Sequence, residues 1–215
     1  LVDGAADLRD AGKSMDEIAD WTMAVRQNVH HQFYSTELKF YRRSGRMSGA
    51  AAAIGTVLGI CPIMRLDDKG AIKAYSKVRG KKKAVETTVD TMEQCAQGGR
   101  DYDGTCFVCH SQCPEDARLV IEAVEERFPR LKGHIRLCDI GTIIGSHAGP
   151  GTVAVFFYGA ERPEMASFAA KRRSKGGRRA SSFCCLLKRP VTVAEDGHRL
   201  SISPEGVNGH ILRPD

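Results

Sequence analysis

The apolar residues near the start of the chain recur with a helical period. In the segment 14–31 they fall three or four positions apart and therefore share one helix face; they are Ile18, Trp21 and Val25. Ser14 precedes this face and Glu17 follows three residues later, which is the spacing of a capping box. The pattern predicts an amphipathic helix over 14–31, followed by a short strand over 33–36 and a helical stretch over 37–43.

A run of uncharged residues, 47–64, reaches the minimum length of a membrane span. Most of the run is Gly and Ala, and Pro62 interrupts its end. This composition favours a buried small-residue helix that leads into a strand. The strand is predicted over 61–66, and with a turn over 67–70 and a second strand over 71–79 it forms a hairpin.

Helices and strands alternate over the rest of the main body. Helical patterns at 80–97 and 115–128 enclose a strand at 105–111, and further strands are predicted at 134–138 and 152–158. The last strand is apolar on both faces, as expected for a central strand covered on both sides. The inward face of the second helix is expected to carry Leu119, Ala123 and Val124. This order predicts a layered α/β domain.

The excess positive charge of the chain lies in its last quarter. The net charge is +6. Residues 163–215 hold ten Lys and Arg against five Asp and Glu, whereas residues 1–162 are nearly balanced. The main body therefore lacks the broad basic face of a nucleic-acid-binding protein. The tail is expected to be poorly ordered with short β pieces, and its basic cluster 171–179 leaves open a regulatory or nucleic-acid-associated role.

The chain has eight cysteines and no recognisable secretory signal, which predicts reduced thiols in the cytoplasm. The motif CFVCHSQC brings together Cys106, Cys109, His110 and Cys113. A C-x-x-C-H sequence is the signature of c-type haem attachment, and Cys/His clusters bind zinc. A strand over 105–111 would turn Cys106 and Cys109 to opposite faces. The preferred interpretation is a thiol-rich core without a metal, and a metal or haem protein is the alternative.

The stretch IIGSHAGPGTVAVFF places His147 between small residues in an apolar run. Ser146 adds a hydroxyl, and Gly149 and Gly151 can adopt positive φ and let a ligand approach main-chain N–H groups. These donors would suit a carboxylate or phosphate oxygen at the end of a strand. The alternative is a tight turn with a histidine packed beside it.

The other notable charges are basic residues before the small-residue helix and around the second hairpin strand. They are Arg42, Arg43, Arg46, Lys77, Arg79 and Lys81 to Lys83. Such a cluster is either solvated charge or a docking surface for an acidic partner. The sequence has no phosphate-binding loop, no H-E-x-x-H and no G-x-S-x-G, so it indicates binding rather than catalysis.

Two stretches carry a resemblance to a known family: YRRSGRMSGAAAAIGTVLGICPIMRLDDKGAIKAYSKVRGKKKA and IGTIIGSHAGPGTVAVFF. They contain, in order, a Gly-Arg-Met-Ser step, a helix ending in a strand with an early proline, and an acidic-Gly hairpin. An Arg followed by a Lys-Lys-Ala helix and a late His-x-Gly-Pro-Gly complete the series. In this combination the chain resembles the DegV family of bacterial fatty-acid-binding proteins over roughly residues 1–162.

The resemblance implies a two-lobed α/β protein that holds a long-chain fatty acid in an apolar tunnel between its lobes. Such proteins present the acyl carboxylate to a fatty acid kinase and are not themselves the kinase. His147 matches the family histidine that hydrogen-bonds the carboxylate, with Ser146, Gly149 and Gly151 beside it. Arg79 falls in the segment associated with kinase docking. The resemblance implies no cofactor besides the bound fatty acid.

The resemblance also implies a domain division. Residues 1–48 correspond to the C-terminal part of the first lobe, residues 49–162 to the second α/β lobe, and residues 163–215 have no counterpart. The family begins with an N-terminal lobe that supplies a Thr and a Ser to the carboxylate. The expectation is therefore an N-terminally shortened family member.

Overall fold

The computed structural model describes residues 1–46 and 59–162, together with the backbone of two strands at 192–196 and 199–203. The predicted small-residue helix and the basic cluster 171–179 lie outside the described residues. The chain divides into two compact units. The first consists of two segments, Leu1–Arg26 and Arg179–Asp215, and the second is Gln27–Arg178. The division expected near residue 48 differs from this one, because the strand at 29–35 is hydrogen-bonded within the sheet of the second unit.

The described residues of the first unit include two helices, α1 (Val2–Asp10) and α2 (Met15–Val25). The predicted capping box is confirmed, since the Glu17 amide donates to Ser14 Oγ at 3.3 Å and the Ser14 amide donates to Glu17 Oε2 at 2.8 Å. The predicted helix is wrong beyond Val25, because residues from Val29 onward form a strand. Two antiparallel strands, Thr192–Asp196 and Arg199–Ser203, also belong to this unit.

The second unit is built on a six-stranded sheet. Its strands are β1 (Val29–Ser35), β2 (Ile60–Leu66), β3 (Ile72–Arg79), β4 (Cys106–Ser111), β5 (Arg136–Asp139) and β6 (Thr152–Tyr158). The order across the sheet is β3-β2-β1-β6-β4-β5. All neighbouring pairs are antiparallel except β4 and β5, which are parallel. The predicted hairpin and the central position of β6 are confirmed, and the mixed α/β class with them.

Asp67 explains why the chain turns between β2 and β3. Its Oδ1 accepts hydrogen bonds from the amides of Lys69 (3.0 Å) and Ala71 (2.8 Å), the local arrangement by which aspartate fixes turns. Gly70 has a φ of +78°, which a residue with a side chain would adopt only under strain. The turn therefore sets the register of the two strands.

The described residues of the sheet unit contain four α-helices: α3 (Lys39–Arg43), α4 (Lys81–Cys95), α5 (Pro114–Arg127) and α6 (Thr142–Ala148). Short 3-10 turns lie at Gly99–Asp101 and Pro129–Leu131. Helix α6 falls in a stretch for which the sequence predicted neither a helix nor a strand. No helix among the described residues is long and apolar enough to cross a membrane.

The two faces of the sheet carry separate apolar clusters. Helices α4 and α5 supply the larger one, packing Met92, Val120 and Val124 against inward strand residues such as Val108 and Phe157. All five are at most 2% exposed, and burying each such side chain contributes about 1.5–3 kcal/mol. Leu119, expected to point inward on α5, is 50% exposed, so that assignment is wrong.

The opposite face carries the smaller cluster. Its buried members are Phe33, Leu38, Tyr41, Met64, Ala148 and Ala154, with Leu66, Ile72, Ala74 and Phe156 partly buried against them. Tyr41 comes from α3 and Ala148 from α6, and the other members lie mainly on the strands. This set is called the second face below.

Candidate functional site

Three strand ends and two short helices meet at one edge of the sheet. This edge is formed by the ends of the strands and not by an outer strand. Thr152, the first residue of β6, is the register partner of both Ser35 at the end of β1 and Ser111 at the end of β4. Helix α3 follows β1 and helix α6 precedes β6, so both helices lie at this edge, where they contact each other. This edge is where the structure places the histidine singled out by the sequence.

His147 is half-buried in the last turn of α6. Its Nε2 lies 3.4 Å from Nη2 of Arg46, just beyond the end of α3. A guanidinium can only donate, so in this contact Nε2 carries its lone pair and accepts. The Arg46 Nη1 donates to the Ser44 carbonyl at 2.7 Å, and Ser44 Oγ donates to the His147 carbonyl at 3.4 Å.

The pairing of Arg46 with His147 was not expected from the sequence. The two residues are 101 positions apart, and only the meeting of α3 with α6 brings them together. The pair joins a permanent cation to an imidazole, both with N–H groups that can donate to an anion. Arg46 is exposed, so a ligand carboxylate can approach this pair from solvent.

Ser146 is next to His147 in the chain but does not join it in space. Successive helix residues point about 100° apart. Ser146 is exposed, and its hydroxyl donates to the Ile143 carbonyl at 2.8 Å. In this structure its donor is therefore used within α6.

The two glycines after α6 have a different role from the one expected. The Gly149 amide donates to the Gly145 carbonyl at 2.7 Å, and the Gly151 amide donates to the Ser111 carbonyl at 2.9 Å. Neither of these two N–H groups is therefore free to donate to a ligand.

Both glycines instead allow close packing. Gly149 has φ +76° and ψ 171°, a conformation that is essentially restricted to glycine. A Cβ there would overlap the Phe40 ring, and a Cβ on Gly151 would overlap Thr36 Oγ1. The two glycines thus let the end of α6 and the start of β6 lie directly against the segment around α3.

Hydroxyl groups close to His147 connect helix α3, helix α6 and strand β6 by hydrogen bonds. Thr152 Oγ1 donates to the Ala148 carbonyl at 3.2 Å and lies 3.4 Å from the hydroxyl of Tyr41. Burial raises the pKa of Tyr41 to about 12, so its phenol stays neutral at physiological pH. Together these contacts hold the backbone next to His147, at the end of α6, in place.

The second face begins directly beside the Arg46–His147 pair. Ala148 follows His147, and the cluster continues from there onto the strands through Phe33 and Met64. Helix α6 adds two apolar side chains that point away from the core, Ile143 at 75% and Ile144 at 62% exposed. The geometry therefore places the polar pair at the end of a buried apolar cluster.

Arg79 lies at the same sheet edge but away from His147. Ile60 and Arg79 are register partners, so the end of β3 meets the start of β2 here. Because β3 is three strands from β6 in the sheet order, the two strands are separated by about 14 Å across the sheet at the usual strand spacing. It is exposed and precedes the basic first turn of α4.

The basic residues around the start of α4 differ in their partners. Lys81 pairs with Asp116 at 2.7 Å and Lys83 pairs with Glu86 at 2.9 Å. Within the described part of the chain, neither Arg79 nor Lys82 makes an ion pair. Both add to the positive end of the α4 macrodipole.

The cysteine motif is spread over two sides of β4. Cys106 is 1% exposed within the larger cluster, whereas Cys109, three residues later, lies on the other side and is half-buried. His110 Nδ1 lies 3.5 Å from Asp139 Oδ1. In residues 1–46 and 59–162, no three His, Cys, Asp or Glu side chains are grouped as metal ligands would be.

Comparison with known families gives a match over most of the chain. The sequence model of the family described as "Uncharacterised protein, DegV family" matches residues 1–160. A DegV domain-containing protein of Clostridium perfringens is 37% identical over 159 residues, which are 74% of this chain and 53% of that protein. The chain thus spans about half the length of the curated relatives it matches.

Solved structures with the same fold include two with a bound acyl chain. A DegV family protein from Eubacterium eligens, loaded with heptadecanoic acid, superimposes with a TM-score of 0.65 at 19% identity, covering 74% of this chain and 55% of that one. The fatty acid kinase (Fak) B3 protein of Streptococcus pneumoniae, loaded with linoleic acid, superimposes with a TM-score of 0.63 at 20% identity, covering 73% and 54%.

Proposed function

Because this chain belongs to the DegV family, we propose that it binds a long-chain fatty acid with the carboxylate beside His147 and the acyl chain along the second face. One observation carries the proposal. The Arg46–His147 pair stands at the end of the apolar cluster that starts at Ala148. The structural relatives loaded with heptadecanoic and linoleic acid support the same ligand class.

In the proposed site the acyl chain and the carboxylate of the ligand contribute differently to binding. Each buried methylene of the acyl chain contributes about 0.8 kcal/mol, so the chain supplies most of the affinity. A carboxylate leaving water needs compensating donors, and the Arg46 guanidinium and the His147 imidazole supply them as charge-assisted bonds. The polar end therefore sets the orientation of the acid. Ser146 contributes through its hydroxyl only if that group leaves the Ile143 carbonyl.

The proposal assigns Gly149 and Gly151 an indirect part in binding. Their positive φ values and lack of side chains hold α6 against Phe40 and Thr36. The position of His147 relative to Arg46 depends on that packing. The two glycines are thus expected to shape the site without donating to the carboxylate.

We further propose that the chain presents the bound carboxylate to a fatty acid kinase and is itself non-catalytic, with the fatty acid as its only ligand. The name of the Streptococcus pneumoniae relative points to such a kinase. Arg79, exposed and without an ion pair among the described residues, would meet acidic groups of the kinase together with Lys82. The proposed place of action is the bacterial cytoplasm, as the cysteine usage already indicated.

Mass spectrometry of the purified chain tests lipid binding first. Under native conditions we expect a species heavier by one fatty acid, and denaturation should release that acid. A matched pair of variants then tests the site. His147→Ala should lower the affinity for an added long-chain acid about tenfold, whereas His134→Ala, which removes an exposed histidine elsewhere, should leave it unchanged. Equal affinities in both variants would overturn the assignment of His147.

A further inference from the structure

Two cysteines of the sheet unit face each other across neighbouring strands. Cys109 of β4 and Cys138 of β5 are register partners in the parallel pair. Register partners on paired strands project to the same face of the sheet. The Cys138 thiol lies near enough to contribute to the raised pKa of Cys109, as expected for side chains that project side by side.

The pair is also open to reagents from outside. Both residues are half-buried rather than enclosed, and β5 is the edge strand of the sheet. Cys106, the other cysteine of β4, is 1% exposed and lies on the opposite face, among the residues under α4 and α5. Among the described cysteines, Cys109 and Cys138 are therefore the pair on this face that can react together.

We propose that Cys109 and Cys138 form a redox-active dithiol that a hydroperoxide converts to a cross-strand disulfide. In the first step one thiolate sulfur attacks the O–O bond, giving a sulfenic acid and releasing an alcohol, or water when the oxidant is hydrogen peroxide. The second thiol then displaces hydroxide from the sulfenic acid, forming the S–S bond and water. The two thiols lose two electrons and two protons in total, and the peroxide bond takes up both electrons.

The backbone geometry permits this bond. Neighbouring strands lie about 4.7–4.9 Å apart, which is within the range of about 4.4–6.8 Å for the Cα atoms of disulfides. A bond that joins adjacent strands departs from relaxed disulfide geometry, and strained, accessible disulfides are reduced more readily than structural ones. The pair is thus suited to reversible oxidation.

The surroundings of Cys109 control how fast it reacts. Burial and the neighbouring Cys138 thiol raise the pKa of Cys109 to about 11. Since the thiolate is the reactive form, oxidation initiated at Cys109 should accelerate as the pH rises from 7 towards 9. The reaction should therefore need stronger or longer exposure to peroxide than that of a free surface thiol.

Oxidation of the two thiols would restrict the movement of β5, the strand that leads into α6. The Ile140 amide donates to the His110 carbonyl at 2.8 Å, directly after β5, and α6 starts two residues later at Thr142. A covalent link between Cys109 and Cys138 would fix β5 to β4 just before this connection. Fraying of the edge strand should then decrease, seen as slower amide hydrogen exchange over 136–140.

The experiment treats the full chain with hydrogen peroxide and measures its intact mass and its tryptic peptides without reduction. We expect a loss of two hydrogen atoms, reversed by dithiothreitol, and a cross-link between the peptide 101–118 and the peptide that begins at Leu137. Because Cys106, Cys109 and Cys113 share the first peptide, Cys109→Ser decides which of them is linked. That variant and Cys138→Ser should both lose the cross-link completely.

The control variant carries Cys184→Ser together with Cys185→Ser and should keep the cross-link at the wild-type level. Circular dichroism of each variant confirms that loss of the link is not loss of the fold. A cross-link that survives Cys109→Ser, or folded wild-type protein that acquires oxygen atoms without a link, would overturn the proposal.

Discussion

Replacing Gly149 with alanine tests how closely α6 is held against α3. Two costs are expected. The backbone at Gly149, with φ +76° and ψ 171°, strains any residue with a side chain by about 1–3 kcal/mol. The new methyl group would also overlap the Phe40 ring, and overpacking of this kind costs about 1–3 kcal/mol. The variant should therefore lose about 2–6 kcal/mol of unfolding free energy.

Urea denaturation in two backgrounds separates these costs. With Phe40→Ala also present, the overlap with the ring disappears and only the close approach to the Cβ of residue 40 remains. Gly149→Ala should then cost little more than its backbone strain. Gly133→Ala serves as a second reference, because Gly133 also has a positive φ, +77°, but nothing lies within 4 Å of an added Cβ. If Gly149→Ala costs the same with and without Phe40, the close approach of α6 to α3 is not what the glycine provides.

Three further predictions concern stability. Burial lowers the pKa of His30 to about 4, below its unfolded value near 6.5, so the unfolded chain binds the proton first and stability is lost as the pH falls through this range. Between pH 7 and pH 5 this group should account for about 2 kcal/mol, and urea titrations of His30→Gln should show a correspondingly weaker pH dependence. Lys81→Met removes the partner of the nearly buried Asp116 and should cost about 1 kcal/mol, whereas Lys82→Met should change the urea midpoint little. Ser14→Ala removes a capping hydroxyl and should cost about 1 kcal/mol, measured as a shift in the thermal midpoint.

The sheet could be predicted from the sequence where the local pattern and the tertiary structure agree. Residues 60–79 contain two strands separated by an Asp-Asp-Lys-Gly turn, and the Asp67 hydrogen bonds form entirely within that turn. Strand β6 is apolar on both faces because it lies between β1 and β4 with clusters on either side. In both cases the signal is contained in a short segment.

Strand β1 was largely missed because its buried positions are polar. His30 and Gln32 are at most 1% exposed, although neither would be expected in a sheet interior. Partners distant in sequence make this possible. His30 Nε2 lies 2.7 Å from the Ala160 carbonyl, and Gln32 Oε1 accepts from the Tyr75 hydroxyl at 2.7 Å. No pattern within 29–35 contains that information.

The candidate site was predicted only in part for the same reason. His147 stood out as a polar residue in an apolar run, but α6 is a short helix containing glycine, which propensity does not favour. Its contact with Arg46 depends on the packing of α3 against α6. The Gly149 amide is used by the last turn of this unpredicted helix, and the Gly151 amide by Ser111 on a distant strand, so neither bond could be predicted from the motif.

The most direct test of the central claim compares a long-chain fatty acid with the alcohol of the same chain length. The two ligands share the apolar chain and differ only in the group placed beside Arg46 and His147. Charge-assisted hydrogen bonds contribute about 1.5–3 kcal/mol, so the protein should bind the acid about tenfold to hundredfold more tightly than the alcohol. In His147→Ala this preference should shrink while the affinity for the alcohol stays the same. An unchanged preference in the variant would contradict the placement of the carboxylate at His147.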